Sequence, residues 1–264
     1  MKNRKSHKRG ARLGQHLLTN PGIAHALSKS IHIEKGESVL EIGPGTGMLT
    51  RELLGAGAHV VAVEKDSEMT QILRKTFSKE ITAKKLKLIE GDARDYSPDR
   101  VFPKGEYKVA ANIPYYITGE LIRECLTAKN KPTALAFLIQ KEVAERIARA
   151  KKESILSLSV KVFGEPKYVR TVSKGNFNPQ PNVDSAILAI KNISSKNLKG
   201  TREELFFKLV KTGFAQKRKT LSGNLKKVFG DRAISALTRC GLSEKIRAED
   251  VPLEKWIELA KEIK

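Results

Sequence analysis

A glycine-rich turn between an apolar run and a helix-like segment most constrains the fold of this chain. Residues 38–42 read as a short buried strand, and Gly43, Gly45 and Gly47 follow it directly. Glycine lets the backbone approach a ligand closely and adopt dihedral angles that a Cβ atom forbids. Residues 48–54 then read as a helix. The pattern predicts a ligand-binding turn at the end of a buried strand.

Two carboxylates come at the ends of the next two predicted strands. Residues 59–64 end at Glu64, 21 positions after Gly43, the offset at which an acidic strand end accepts hydrogen bonds from ribose hydroxyls. Residues 86–90 lead to Asp92, which we expect near an adenine amine. A dinucleotide fingerprint would need a third glycine where Met48 stands. The pattern therefore favours S-adenosylmethionine (SAM) over NAD.

The fourth strand ends in the tetrad Asn112-Ile113-Pro114-Tyr115. An exocyclic amine of a base is a poor nucleophile, because its lone pair is delocalised into the ring. The amide oxygen of Asn112 and a backbone carbonyl held by Pro114 are each expected to accept one N–H, which favours a pyramidal nitrogen. Proline makes this turn rigid, and Tyr115 offers a flat face for the base. The tetrad predicts methylation of an amine without a covalent enzyme intermediate.

A proline-stiffened loop at residues 176–185 carries Phe177. The ring is predicted to stack on the face of the base opposite Tyr115. Base–aromatic stacking is worth about 1–3 kcal/mol, which is comparable to the cost of unstacking a base. Burial in the core is the alternative for any single phenylalanine.

Strands and helices alternate from residue 38 onward, which predicts a doubly wound, mostly parallel sheet with an antiparallel strand inserted late. This is the Rossmann-like fold of SAM-dependent methyltransferases. We predict a basic tail at residues 1–12, a SAM-binding domain at 13–193 and a small helical RNA-binding domain at 201–264. The polar residues 194–200 mark the boundary.

The chain carries 50 lysines and arginines against 29 acidic residues, a net charge of +21 that favours polyanionic partners. No apolar stretch approaches the ~20 residues of a membrane span. Cys125 and Cys240 form no C-x-x-C pair, and the five histidines lack metal-ligand spacing. We expect a cytoplasmic monomer with no metal and no membrane contact. The RNA-binding residues are predicted on the C-terminal helices: Lys211, Lys217, Arg218, Lys219, Lys226 and Lys227.

The chain resembles the KsgA family of small-subunit ribosomal RNA adenine dimethyltransferases over nearly its whole length. The resemblance rests on residues 13–18, 41–45, 91–93, 112–115, 177–181 and 214–221. It implies dimethylation, with SAM, of N6 of two adjacent adenosines near the 3′ end of the RNA during ribosome biogenesis. The resemblance also implies the residues of the cofactor site: Gln15, His16, Leu18, Gly43, Gly45, Glu64, Asp92 and Asn112.

Three departures from the family pattern concern substrate positioning. Ile113 replaces the usual Leu and matches the erythromycin-resistance (Erm) large-subunit methyltransferases, Ile155-Leu156 replaces Tyr-Gly, and Ser222-Gly223 replaces Arg-Asn. Two alternatives stay open. The first is an Erm-type large-subunit adenine methyltransferase, although the basic motif at residues 217–225 favours the KsgA family. The second is a non-catalytic RNA-binding assembly factor, which is also consistent with the positive charge.

Overall fold

A computed structural model describes residues 16–263. The predicted basic tail at 1–12 and Gln15 lie outside the described residues. Contacts between Cα atoms divide the chain into two compact units. The first contains the described residues up to 144 together with 166–193, and the second contains 145–165 together with the residues from 194 onward.

The first unit is an α/β structure whose strands and helices largely alternate. Its strands are β1 (Leu17–Leu18), β2 (Ser38–Ile42), β3 (His59–Glu64), β4 (Leu86–Glu90), β5 (Lys108–Asn112), β6 (Ala134–Gln140), β7 (Glu165–Val172), β8 (Phe177–Asn178) and β9 (Ser185–Lys191). Its helices are α1 (Pro21–Lys29), α2 (Met48–Gly55), α3 (Ser67–Thr76), α4 (Ser78–Thr82), α5 (Pro98–Val101) and α6 (Thr118–Thr127), with the start of α7 (Lys141–Ala148).

Seven strands form one sheet in the order β4-β3-β2-β5-β6-β9-β7. The pairs from β4 through β6 are parallel, whereas β9 runs antiparallel to β6. The predicted fold class is therefore confirmed, including the late antiparallel strand. Because β2, β3, β4 and β5 are parallel, their carboxyl ends meet at one edge of the sheet.

Apolar side chains cover both faces of this sheet. Val39, Ala62, Ala110 and Ala136 pack with α1 and α2 in one hydrophobic cluster. Neighbouring residues such as Val109 and Phe137 point to the opposite face, because side chains alternate along a strand, and they are also fully buried. Burial on both faces explains why these strands read as continuous apolar runs rather than as alternating ones.

Side-chain caps define where several helices begin. Asn20 accepts the N–H of Gly22 before α1, and Asp66 accepts the N–H groups of Glu68 and Met69 before α3. Such caps satisfy backbone donors that have no partner within the helix. The helix after the glycine turn, α2, has no such cap, because Gly47 precedes it.

The second unit is helical. It contains α8 (Ile155–Lys161), α9 (Glu203–Gly213), α10 (Leu221–Phe229), α11 (Asp231–Arg239) and α12 (Leu253–Glu262). Residues 145–165, which the sequence-based boundary assigned to the first domain, cluster here with the C-terminal helices.

A fully buried tryptophan, Trp256, packs in the core of the helical unit. Phe214 stacks on Trp256 with ring centroids 5.8 Å apart. A Cβ atom on Gly213 would lie 2.4 Å from the Trp256 ring, so a glycine is needed at this point of α9. The Asn224 amide donates to the carbonyls of Gly213 and Gln216 at 2.7 and 3.1 Å, which satisfies the C-terminal end of α9. Within residues 16–263, no helix is long and apolar enough to cross a membrane.

Candidate active site and candidate nucleic-acid interface

The glycine turn is held by its own backbone and by one carboxylate. Gly43 donates to the carbonyl of Val63 at 3.0 Å, and Gly45 donates to Oε2 of Glu64 at 2.9 Å. Both glycines have positive φ, which favours glycine. A Cβ atom on Gly45 would also lie 2.9 Å from Leu17. The turn can therefore present backbone atoms to a ligand without side chains in between.

Glu64 closes the end of β3 as a buried acceptor. Its second oxygen accepts the N–H of Asp66 at 2.9 Å. Burial raises the pKa of its carboxyl, against the lowering effect of these N–H groups. A carboxylate offers about four acceptor positions, so the two backbone bonds leave capacity for the hydroxyls of a ligand.

A second buried carboxylate lies on the neighbouring strand. Glu41 of β2 is 1% exposed, and burial raises its pKa to about 8. Neither of its oxygens accepts a hydrogen bond from a described residue. The sequence pattern predicted no role for Glu41.

Asp92 is engaged by two cations. Arg94 donates from Nη2 to Oδ2 at 2.6 Å and from Nε to Oδ1 at 3.1 Å, and Lys65 donates to Oδ2 at 2.9 Å. The Arg94 N–H also bonds Oδ1. The hydrogen bonds from Arg94 hold the pKa of Asp92 well below its usual range. All of its acceptor positions are occupied, so an adenine amine needs one of these bonds to be released. Sequence reasoning missed Lys65 and Arg94, although both are near predicted site residues in the chain.

The tetrad lies at the end of β5. The amide Nδ2 of Asn112 donates to the carbonyl of His16 at 3.0 Å, so Oδ1 is the remaining acceptor of that side chain. The Pro114 carbonyl accepts the N–H of Ile117 at 3.2 Å. The Tyr115 hydroxyl bonds the Ser185 hydroxyl at 2.7 Å, and burial raises the pKa of Tyr115. The two side-chain bonds fix the orientations of Asn112 and Tyr115.

The pair β1–β8 brings distant parts of the chain to this site. Leu18 is opposite Phe177 in the antiparallel ladder, and His16 bonds the Pro179 carbonyl at 2.8 Å through Nδ1. The rings of His16 and Tyr115 are 5.6 Å apart. Phe177 is 5% exposed and packs in the hydrophobic cluster, as does Leu18.

Most of the predicted cofactor-site and catalytic residues line two cavities that share Gly43, Glu64 and Pro114. The first, about 40 Å³, is lined by His16, Leu17, Gly43, Gly45, Glu64, Asn112, Ile113, Pro114 and Tyr115. The second, about 60 Å³, adds Lys65, Asp92, Arg94 and Tyr116 to its lining. Leu18 and Phe177 line neither cavity. Among residues 16–263, no group of three or more His, Cys, Asp or Glu side chains is arranged to hold a metal ion.

The helical unit has a cleft of about 550 Å³ with a basic rim. The basic side chains that line the cleft include the predicted Lys217 and Lys219. Three further basic residues of the lining were not predicted from the sequence: Arg146, Lys152 and Arg247. The other predicted RNA-binding residues, Lys211, Arg218, Lys226 and Lys227, are exposed but do not line it. Arg146, Lys152 and Arg247 are far apart in the chain, which explains why the charge pattern of the sequence did not indicate them.

The same cleft has an apolar wall and two acidic residues, Glu153 and Glu249. Ile155, Leu156 and Phe214 form the wall. Lys152 pairs with Glu249 at 2.5 Å. The bond from Lys152 lowers the pKa of Glu249, and the nearby charges of Lys152, Arg247 and Lys217 lower it further. Positive charge therefore predominates around this carboxylate.

A glycine turn, a buried strand-end carboxylate and an Asn-Ile-Pro-Tyr turn on this sheet topology define a Rossmann-like methyltransferase. The family model of ribosomal RNA adenine dimethylase matches residues 6–264. The chain belongs to the ribosomal RNA adenine dimethylase family, which confirms the resemblance found in the sequence.

Relatives match over nearly their whole length. Ribosomal RNA small subunit methyltransferase A of Dehalococcoides mccartyi is 36% identical over 255 residues, which covers 95% of this chain and 87% of the relative. The protein of the same name from Fusobacterium nucleatum is 36% identical over 260 residues, covering 96% and 97%.

Two solved structures resemble more than nine-tenths of the chain. A dimethyladenosine transferase from Plasmodium falciparum has a TM-score of 0.80 at 29% identity, covering 92% of this chain and 96% of that one. The 23S rRNA methyltransferase ErmE has a TM-score of 0.77 at 24% identity, covering 94% and 99%. The second likeness is a likeness of fold alone.

Proposed function

We propose that this protein transfers methyl groups from SAM to N6 of two adjacent adenosines near the 3′ end of small-subunit ribosomal RNA, during ribosome biogenesis. The observation that carries the proposal is the orientation of Asn112, whose Nδ2 is bonded to the His16 carbonyl. Its Oδ1 is thereby free to accept an N–H of the target amine, in a cavity that the glycine turn and Glu64 also line.

The remaining chemistry follows from the tetrad. The Pro114 carbonyl is bonded to Ile117, so we assign the second acceptor to the carbonyl of Ile113, the residue joined to the proline nitrogen. Two acceptors on one amine favour a pyramidal nitrogen with its lone pair directed away from them. SAM, when bound, supplies an electrophilic methyl group. Proximity and orientation then provide most of the acceleration.

The residues present fit a nucleoside ligand of this kind. We assign the ribose hydroxyls to the free acceptor positions of Glu64 and the adenine amine to Asp92, after release of Lys65 or Arg94. The proposed site is completed by Gly43, Gly45 and His16, together with the predicted Gln15 and Leu18. No step in the proposal requires a metal.

Replacing Asn112 by Ala removes the side-chain acceptor and leaves one carbonyl for the amine. Each lost transition-state hydrogen bond in a dry site costs on the order of 10²–10³ in rate. We expect turnover to fall by at least that factor while RNA binding persists. Single-turnover methylation and filter binding of the same RNA measure the two quantities. Near-normal turnover would contradict the assignment.

We propose that Phe177 completes an aromatic clamp with Tyr115. The ring is buried in this structure, so the clamp requires local opening at the β1–β8 pair. Leucine fills most of the same volume but has no flat face. We expect Phe177→Leu to lower stability by less than about 1.5 kcal/mol and to lower the methylation rate by roughly 5- to 150-fold, the equivalent of about 1–3 kcal/mol of stacking. An unchanged rate with unchanged folding would leave Phe177 a core residue only.

We propose that the basic cleft of the helical unit contacts RNA phosphates, together with Lys211, Arg218, Lys226 and Lys227. Removing one phosphate contact lowers the slope of log affinity against log salt by about 0.7–0.9. We expect this change for Lys217→Ala and for Arg247→Ala. The exposed Lys261 on α12 lies outside the cleft lining, so Lys261→Ala is the matched control. If all three variants have the salt slope of the unmodified protein, the cleft is not part of the RNA interface.

The adenosines themselves are identified by mapping methylation in RNA from cells that lack this protein and then regain it. We expect a pair of N6-dimethyladenosines near the 3′ end of the small-subunit RNA to disappear and return. A large-subunit adenosine that responds instead would favour the Erm-type alternative. Intact binding to immature subunits without any methylation would favour the assembly-factor alternative.

A further inference from the structure

Glu41 and Glu64 lie on the same face of the sheet, at the ends of adjacent strands. Glu41 is opposite Ala62 in the parallel ladder, and Glu64 follows Ala62 by two residues, which returns its side chain to the same face. Both glutamates are 1% exposed. Glu64 lines the proposed methyl-donor cavity and Glu41 does not. Glu41 is therefore buried on the face that Glu64 also occupies, but outside the lining of the cavity.

No cation balances Glu41 within the described residues. The groups that act on its ionisation are Thr50 from α2, which stabilises the charged form, and Glu64 from β3, which opposes it. Its ladder partner on β5 is Ala110, which has no charge. The Thr50 hydroxyl is itself buried without a hydrogen bond. Glu41 thus has a potential partner but no compensating charge.

A carboxyl in these surroundings is neutral near pH 7, because burial and a neighbouring acid both disfavour the ionised form. The raised pKa, about 8, agrees with that argument. A cation in the adjacent cavity acts in the opposite direction, since an opposite charge favours ionisation. The protonation state of Glu41 thereby depends on the charge of the ligand.

We infer that Glu41 senses the charge of the methyl donor, being protonated in the free protein and ionised when a cationic ligand occupies the cavity. The inference rests on the proposed function, because it requires SAM as the donor. When methyl is transferred, the S–C bond breaks, the N–C bond forms and the nitrogen loses one proton. The sulfonium becomes an uncharged thioether, and Glu41 takes up a proton again. Glu41 thereby favours the substrate SAM over the product S-adenosylhomocysteine (SAH).

The sign of the pH dependence follows from linkage. A ligand whose binding releases a proton binds more tightly as pH rises, until the pH exceeds the pKa of the group in the free protein. SAM affinity should therefore increase from pH 6 to about 8 and level off above it. SAH shares the α-amino and carboxyl groups of SAM but lacks the sulfonium charge. The pH dependence of SAH affinity therefore measures the contribution of all groups other than the sulfonium.

Calorimetric titrations at pH 7, in two buffers of different ionisation enthalpy, count the protons released on binding. We expect close to one more proton released for SAM than for SAH, on the order of the single ionisation of Glu41. Sinefungin, with an ammonium near the position of the sulfonium, should behave as SAM does. In Glu41→Gln the extra proton should vanish, and the preference for SAM over SAH at pH 7 should narrow by about tenfold. This is the factor expected when the ligand lowers the pKa of Glu41 from about 8 by about two units.

Two further measurements separate this role from a structural one. Between pH 5 and 8 the folded free protein binds a proton at Glu41 that the unfolded chain releases, so stability falls as pH rises. Glu41→Gln should lack this fall. Thr50→Val removes the hydroxyl that favours ionisation and should move the rise in SAM affinity to higher pH. The pH shift in Thr50→Val and the comparison of SAM with SAH in the unmodified protein remain measurable if Glu41→Gln does not fold.

Equal proton release for SAM and SAH, or an unchanged extra proton in Glu41→Gln, would overturn the inference and leave the proposed function standing. Failure of SAM to bind the unmodified protein would overturn the proposed function and the inference with it.

Discussion

The hydrogen bonds that Glu64 accepts from Gly45 and Asp66 are the interaction on which the first unit's site depends. One carboxylate joins the glycine turn after β2 to the loop after β3, so the two strand ends act as one rigid edge. The parallel register brings β5 and its tetrad to that same edge. Without this link the turn would keep its positive-φ glycines and the bond from Gly43 to Val63, but Gly45 would lose its bond to the end of β3.

Several features of the first unit could be predicted from the sequence because they are local. Gly43, Glu64, Asp92 and Asn112 each follow a short apolar run, and consecutive parallel strands end at a common edge. The order of motifs along the chain is therefore also their arrangement in space.

Other features were beyond prediction because they depend on distant partners or on packing. The strands β1 and β8 are two residues each, too short for a periodic pattern, and their paired residues are 159 and 161 positions apart in the chain. The Asp92 partners, Lys65 and Arg94, needed side-chain geometry. Residues 155–161 form a helix that belongs to the second unit. A helix packs equally well on a sheet or on other helices, so the sequence alone did not determine which unit contains it. The clamp at Phe177 stays a prediction, since its ring is buried here.

The two units suit ligands of opposite charge. The strand-end site of the first unit contains two buried carboxylates, and the cleft of the second has five basic side chains against Glu153 and Glu249. Salt screens exposed charges over about 8 Å at physiological ionic strength and screens buried ones much less. The exposed lysines of the cleft therefore respond to ionic strength, whereas the buried glutamates respond to protonation. In the proposed function, a chain with a net charge of +21 holds a cationic donor in this way, because the carboxylates assigned to the donor site are buried away from the charges of the surface.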